Sequence, residues 1–131
     1  MREHVIRLKP GEDLKRAITK YLEERNIKAG WLVTCVGSLS TYAIRFANQS
    51  GATKASGYFE IVSLTGTVSV NGSHIRISIS DSTGKTIGGH VVDGNIIYTT
   101  AEIVINESST LVFTREKDDT TPWEELQIRQ Q

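Results

Sequence analysis

From Ser73 to Ser80 the chain alternates without a break. Ile75, Ile77 and Ile79 fall on one side, and His74, Arg76, Ser78 and Ser80 on the other. A period of two belongs to a half-buried β-strand, so His74 and Arg76 project from one face and the isoleucines from the opposite one. A turn then brings the chain back through Gly88-Gly89-His90. Any fold open to this chain must bury the isoleucine face, and the histidines and the arginine are left on the other.

Turn chemistry predicts how the neighbouring strands register. Asn71-Gly72 is a strong two-residue hairpin signal and predicts pairing of Val70 with Ser73, which puts Leu64, Gly66 and Val68 on the isoleucine face. A three-residue loop, Ser82-Thr83-Gly84, predicts Gly84 in the left-handed conformation and Asp81 opposite Lys85. Ile87, Gly89 and Val91 then join the same apolar face. Asp93-Gly94 predicts a third hairpin that pairs Val92 with Asn95. A slip of one residue would send the isoleucines to the wrong side. In this register Arg76 lies opposite His90, and His74 lies diagonally from it at roughly 7–8 Å between Cα atoms, within reach of a ring. Gly88 and Gly89 would allow a backbone or a ligand to approach closely.

Elsewhere, Glu3–Leu8 reads as a first strand. Glu12–Asn26 reads as a helix, with Leu14, Ala17, Ile18, Tyr21 and Leu22 on one face and Glu12 and Asp13 at its positive end. Further strands are predicted at Trp31–Val36, Thr41–Ala47, Tyr58–Val70, Thr86–Val92, Asn95–Ile105 and Thr110–Arg115. Gln49–Ser56 reads as a loop. The chain is expected to hold one domain over residues 1–116, followed by a charged tail, 117–131, that docks through Pro122-Trp123. One helix followed by about seven strands makes an α+β protein with a mostly antiparallel sheet.

The 131 residues balance 15 Lys and Arg against 15 Asp and Glu. That balance argues against autonomous DNA binding through phosphates, which needs a basic excess or stripe. No secretory signal or membrane-length apolar run is present, so a cytoplasmic location is expected. The single Cys35 lies in an apolar run and reads as a small buried hydrophobe.

Four segments resemble the plant and prokaryote conserved (PPC) domain in its single-domain prokaryotic form: Pro10–Leu14 (PGEDL), Val36–Ser40 (VGSLS), Gly57–Gly66 (GYFEIVSLTG) and the run from Gly72 to Glu102 that contains GSH, GGH and TTAE. The resemblance implies an antiparallel α+β fold, similar to that of α-acetolactate decarboxylase, assembled as a homotrimer. In plants such a domain follows an AT-hook and contacts other regulators through its G-x-F-E-I segment. The corresponding partner-contact residues here are Gly57, Phe59, Glu60 and Ile61. No AT-hook motif occurs in this chain, so any direct DNA contact is expected to be weak. Some prokaryotic relatives carry H-x-H on one strand and a further His after G-G, a set that holds zinc. Here those positions are His74, Arg76 and His90, and a guanidinium offers a metal no lone pair. His74 and His90 are therefore metal candidates only, and the expected cofactor is none.

The trio stays open to three readings: a structural cluster, a small-anion or ligand site, or an altered metal site used by an enzyme. The leading function is a non-catalytic homotrimeric module in gene regulation, with itself and other regulatory proteins as partners and no membrane contact. No catalytic residue is assigned. Strict alternation back from Val70 places Glu60 on the isoleucine face unless a bulge intervenes. Glu102 falls opposite Lys85, His4 reads as a surface residue, and Trp31 and Phe59 read as core. Gly84-Lys85-Thr86 lacks the first glycine and the helix of a phosphate-binding loop.

Overall fold

The computed structural model describes all residues, Met1–Gln131. Strand β1 (Arg2–Leu8) leads to helix α1 (Leu14–Glu24). Seven strands follow: β2 (Ala29–Arg45), β3 (Thr53–Ser69), β4 (Gly72–Ser80), β5 (Thr86–Val91), β6 (Ile96–Glu107), β7 (Leu111–Lys117) and β8 (Glu124–Gln130). The α+β class and the antiparallel sheet are as the sequence predicts. The main sheet runs β1-β6-β2-β3-β4-β5, and β5 returns to pair with β2, so β2 to β5 close into a small barrel. No helix is long and apolar enough to cross a membrane.

One core fills this arrangement. Leu14, Ile18 and Leu22 of α1 pack with Leu39, Ile44, Ile75, Ile77 and Ile79 and with Ile103 and Ile105. The helix begins at Asp13, which lies just outside it as the N-cap. Its carboxylate accepts from the Arg16 amide at 3.2 Å and from the Gly94 amide at 2.7 Å. It thus satisfies a free helix-end donor and ties the helix to the turn before β6. Glu12 and Asp13 both precede the helix and so lie outside its first turn.

The hairpins test the predicted register one by one. The Asp81–Lys85 turn forms as read. The Asp81 amide donates to the Lys85 carbonyl, Gly84 has φ +85°, and Arg76 lies opposite His90. The first hairpin is displaced by two residues: Ser69 pairs with Gly72 and Gly66 with Ile75, with Val70-Asn71 as the turn. Those two residues serve β7 instead. The Val70 amide donates to Phe113, and the Asn71 side chain exchanges two hydrogen bonds with the Arg115 backbone. An even displacement keeps every side chain on its face, which is why the core pattern survives.

The third hairpin does not form. β6 crosses to the far side of β2 and pairs there and with β1, so Glu102 faces Arg7 and Val36, not Lys85. Asn95 explains the departure. It is fully buried, its amide bridges both backbone polar groups of Ala43, and its own carbonyl accepts from Leu14.

Further expectations are corrected. A bulge between Ile61 and Ser63 turns Glu60 to the outer face, opposite Ser80, four residue pairs beyond Arg76. His4 is buried at 6% exposure because β1 lies under the helix. There its ring is 2.8 Å from the Tyr21 hydroxyl and 2.9 Å from Glu107. The predicted strands Trp31–Val36 and Thr41–Ala47 are one strand with irregularities near Leu39. The predicted loop at Gln49–Ser56 is half strand, since β3 begins at Thr53. Residues 124–130 of the tail form β8, which pairs with β7 along its whole length.

Candidate functional site

The three side chains read from the sequence converge. His74 and Arg76 leave β4 on the outer face, and His90 leaves β5 beside them. The two imidazole rings are 5.6 Å apart between centroids. The glycines before His90 make this closeness possible. A Cβ on Gly88 would lie 2.5 Å from the Ile77 carbonyl oxygen, and one on Gly89 would lie 2.6 Å from that of Arg45. The glycines therefore let β5 wedge between β4 and β2, and the close approach is made by backbone.

Barrel closure supplies a residue that the sequence reading missed. Arg45, at the end of β2, pairs with His90 across β5. A second missed residue comes from the end of the predicted strand Thr110–Arg115. Arg115 on β7 is anchored through its backbone to Asn71, and its Nη2 donates to Thr67 Oγ1 at 3.0 Å. Thr67 is the cross-strand partner of His74, so the Arg115 guanidinium is held over the histidines. Its Nε is buried without a hydrogen-bond partner. Only strand pairing distant in sequence brings in Arg45 and Arg115, and no local motif marks either one.

These groups line an open cleft of about 470 Å³, whose far rim is formed by Trp123, Glu124 and Glu125. A second cleft, of about 450 Å³, opens on the other side of the histidines toward Phe46 and Asn48. The two share Arg45, His74, Arg76 and His90.

The electrostatics have one sign at the floor. Arg45, Arg76 and Arg115 take part in none of the five ion pairs of the protein. Burial, followed by Arg45, His74, Lys15 and Arg76, pushes the His90 imidazole down to about 4. Burial, then Arg115 and Arg76, also lowers His74, while Glu125 acts in the opposite direction. Both rings are therefore neutral at pH 7, and each can donate one N–H and accept at the other nitrogen. Three guanidiniums outside any ion pair beside two neutral imidazoles present the charge-assisted donors that carboxylates and phosphates accept from.

The same donor set does not suit zinc. Two imidazoles fall short of the three protein ligands of a catalytic zinc site, and Arg76 adds a fixed positive charge where a third ligand would be needed. No group of three His, Cys, Asp or Glu residues that could hold a metal occurs in the structure. Cys35 is no substitute: burial and Glu102 raise its thiol to about 12.

The segment Gly57–Ile61 is divided between two surfaces. Ile61 is core, and Phe59 packs on it edge-to-face with Tyr42 at 5.0 Å. Glu60 and Tyr58 face outward, and Tyr58 is 66% exposed. Tyr58, Tyr98 and Val36 line one surface depression across β3, β6 and β2, with the two tyrosine rings 5.3 Å apart. Trp31 is half-buried and lies outside the main cluster. Ser38 is buried, its hydroxyl 2.8 Å from that of Thr99.

Comparison with known proteins places these features in context. Residues 1–109 match the model of the Plants and Prokaryotes Conserved (PCC) domain. The bifunctional protein GlmU of Synechococcus sp. (strain JA-3-3Ab) is 38% identical over 128 residues, covering 98% of this chain and 21% of that protein. The AT-hook motif nuclear-localized protein 13 of Arabidopsis thaliana is 31% identical over 106 residues, covering 72% of this chain and 24% of that protein. The chain thus spans about a fifth to a quarter of the length of these curated relatives. Among solved structures, a hypothetical protein from Salmonella cholerae-suis superposes with a TM-score of 0.96 at 34% identity, over 98% of this chain and 94% of that one. A Staphylococcus aureus protein similar to α-acetolactate decarboxylase shares the fold, with a TM-score of 0.55 at 15% identity over 81% of this chain and 52% of that one.

Proposed function

This chain belongs to the Plants and Prokaryotes Conserved (PCC) domain family, and on that premise we propose that it is a non-catalytic, self-associating binding module whose ligand is a small anion. The observation that carries the reading is the convergence of Arg45, Arg76 and Arg115, none of them ion-paired, on the cleft beside His74 and His90. Three unpaired guanidiniums in one cleft repel one another, and an anion bound among them removes that cost while gaining charge-assisted hydrogen bonds.

A binding module fits the settings in which the relatives carry similar sequence. Similar sequence occurs within a protein called bifunctional GlmU and within an AT-hook nuclear protein, and a binding or assembly role fits both settings. Self-association as a homotrimer is the role we assign to the outer face around Val36, Tyr58 and Tyr98, an apolar surface rimmed by polar residues. A role in gene regulation would run through partner proteins, because the balanced charge of the chain gives it little hold on a phosphate backbone.

Calorimetric titration with inorganic phosphate tests the anion reading. The wild type should bind saturably at one site per chain. Arg76→Ala should weaken binding by about tenfold or more, the usual worth of a charged hydrogen bond. Equal affinity in the two proteins, or no binding by the wild type, would overturn it.

A further inference from the structure

The floor of the anion cleft comes from β2, β4 and β5, within the residues that match the family model. Its opposite wall comes from the β7–β8 hairpin, beyond them, and that wall carries charge of both signs. Arg115 reaches over the histidines, while Glu124 and Glu125 line the rim beside Trp123. Neither glutamate comes within ion-pairing distance of Arg45, Arg76 or Arg115. Glu125 is held in place by the Thr121 hydroxyl, which donates to its Oε2 at 2.6 Å. It is close enough to His74 to act on that ring's proton equilibrium.

A site for a bare anion gains nothing from the Glu125 carboxylate at its mouth, because that group repels the ligand. Carboxylates whose task was to neutralise the arginines would bridge them. Glu125 thus sets a negative lip beside the positive charge of Arg45, Arg76 and Arg115 without pairing with any of them.

We infer that the cleft selects small amphoteric ligands, holding a phosphate or carboxylate on Arg45, Arg76 and Arg115 and an ammonium group of the same molecule at Glu125. The cleft, at about 470 Å³, accommodates a molecule of that size. The exposed Trp123 indole offers the cation a π face next to the carboxylates. The inference rests on the anion reading above and adds the chemistry of the ligand's other end.

Two ligands that differ only at that end separate the possibilities: O-phosphoethanolamine and 2-hydroxyethyl phosphate, titrated calorimetrically alongside inorganic phosphate. The wild type should bind the amine roughly tenfold more tightly than the alcohol. The Glu125→Gln variant, altered at a rim position outside the core, should bind the two equally and hold the alcohol at least as tightly as the wild type does. Equal affinities in the wild type would overturn the inference and leave the anion reading standing. A preference that survives in this variant would overturn the assignment to Glu125. Binding of none of the three probes would overturn the anion reading itself, and this inference with it.

Discussion

Acidification should destabilise this protein through His90, and the effect can be isolated by one substitution. In the folded chain the ring lies among Arg45, Arg76 and His74 and takes up a proton only near pH 4, whereas an unfolded histidine does so at about 6.5. Between those values the unfolded state binds more protons than the folded one, so stability falls as pH falls through 6.5 and levels off below about 4. Above 6.5 the ring contributes no pH dependence. The displacement corresponds to at most about 3 kcal/mol. The ring is partly open to solvent, and screening brings the expected effect to about 1–2 kcal/mol. His74 acts in the same direction. Urea unfolding at pH 7.5 and pH 4.5 measures the effect in the wild type and in His90→Asn, which keeps a polar planar group and removes the titration. Carboxylates titrate alike in both proteins, so their contribution cancels. The wild type should lose about 1–2 kcal/mol more than the variant on acidification. Equal losses, or a smaller loss in the wild type, would refute the reasoning.

Three other outcomes follow from the same geometry. Asn95→Ala removes three hydrogen bonds, two of them buried, and orphans the amide and carbonyl of Ala43, so urea unfolding should show a loss of about 3–5 kcal/mol; less than 1 kcal/mol would contradict the role given to Asn95. Arg76→His places a third imidazole opposite His90, and metal analysis after zinc dialysis should find close to one equivalent in the variant and far less in the wild type; stoichiometric zinc in both would show that Arg76 does not prevent coordination. Tyr58→Glu puts a charge into the apolar outer face, and light scattering should show trimers of the wild type dissociating in the variant without loss of secondary structure; a monomeric wild type would remove the self-association proposal.

What the sequence reveals here is local, and what it hides is distant. The Asp81–Lys85 loop closes as read because Gly84 and the Asp81 side chain determine it from within, and that loop sets Arg76 against His90. The Asn71-Gly72 signal places the strands correctly but misses the register by two, because Val70 and Asn71 are taken by β7, some forty residues on. The Asp93-Gly94 signal fails altogether. The turn exists, but buried Asn95 fixes it to Ala43 and α1, and β6 leaves in another direction. Glu60 was misplaced because a bulge leaves no mark in an alternating pattern. The candidate site follows the same rule. Its histidines and Arg76 belong to one hairpin and can be read together, whereas Arg45 arrives by barrel closure and Arg115 on a strand whose docking against Asn71 and Thr67 leaves no local mark.

The central claim is that unpaired arginines and neutral histidines form one anion receptor. Nitrogen-15 NMR of the arginine Nε–H groups and the histidine rings, followed during titration with inorganic phosphate at pH 7, tests it most directly. Arg45, Arg76, Arg115, His74 and His90 should shift together along one saturable curve, with exposed, ion-paired Arg129 unmoved. Shifts that grow without saturation, or that appear equally at Arg129, would contradict the account.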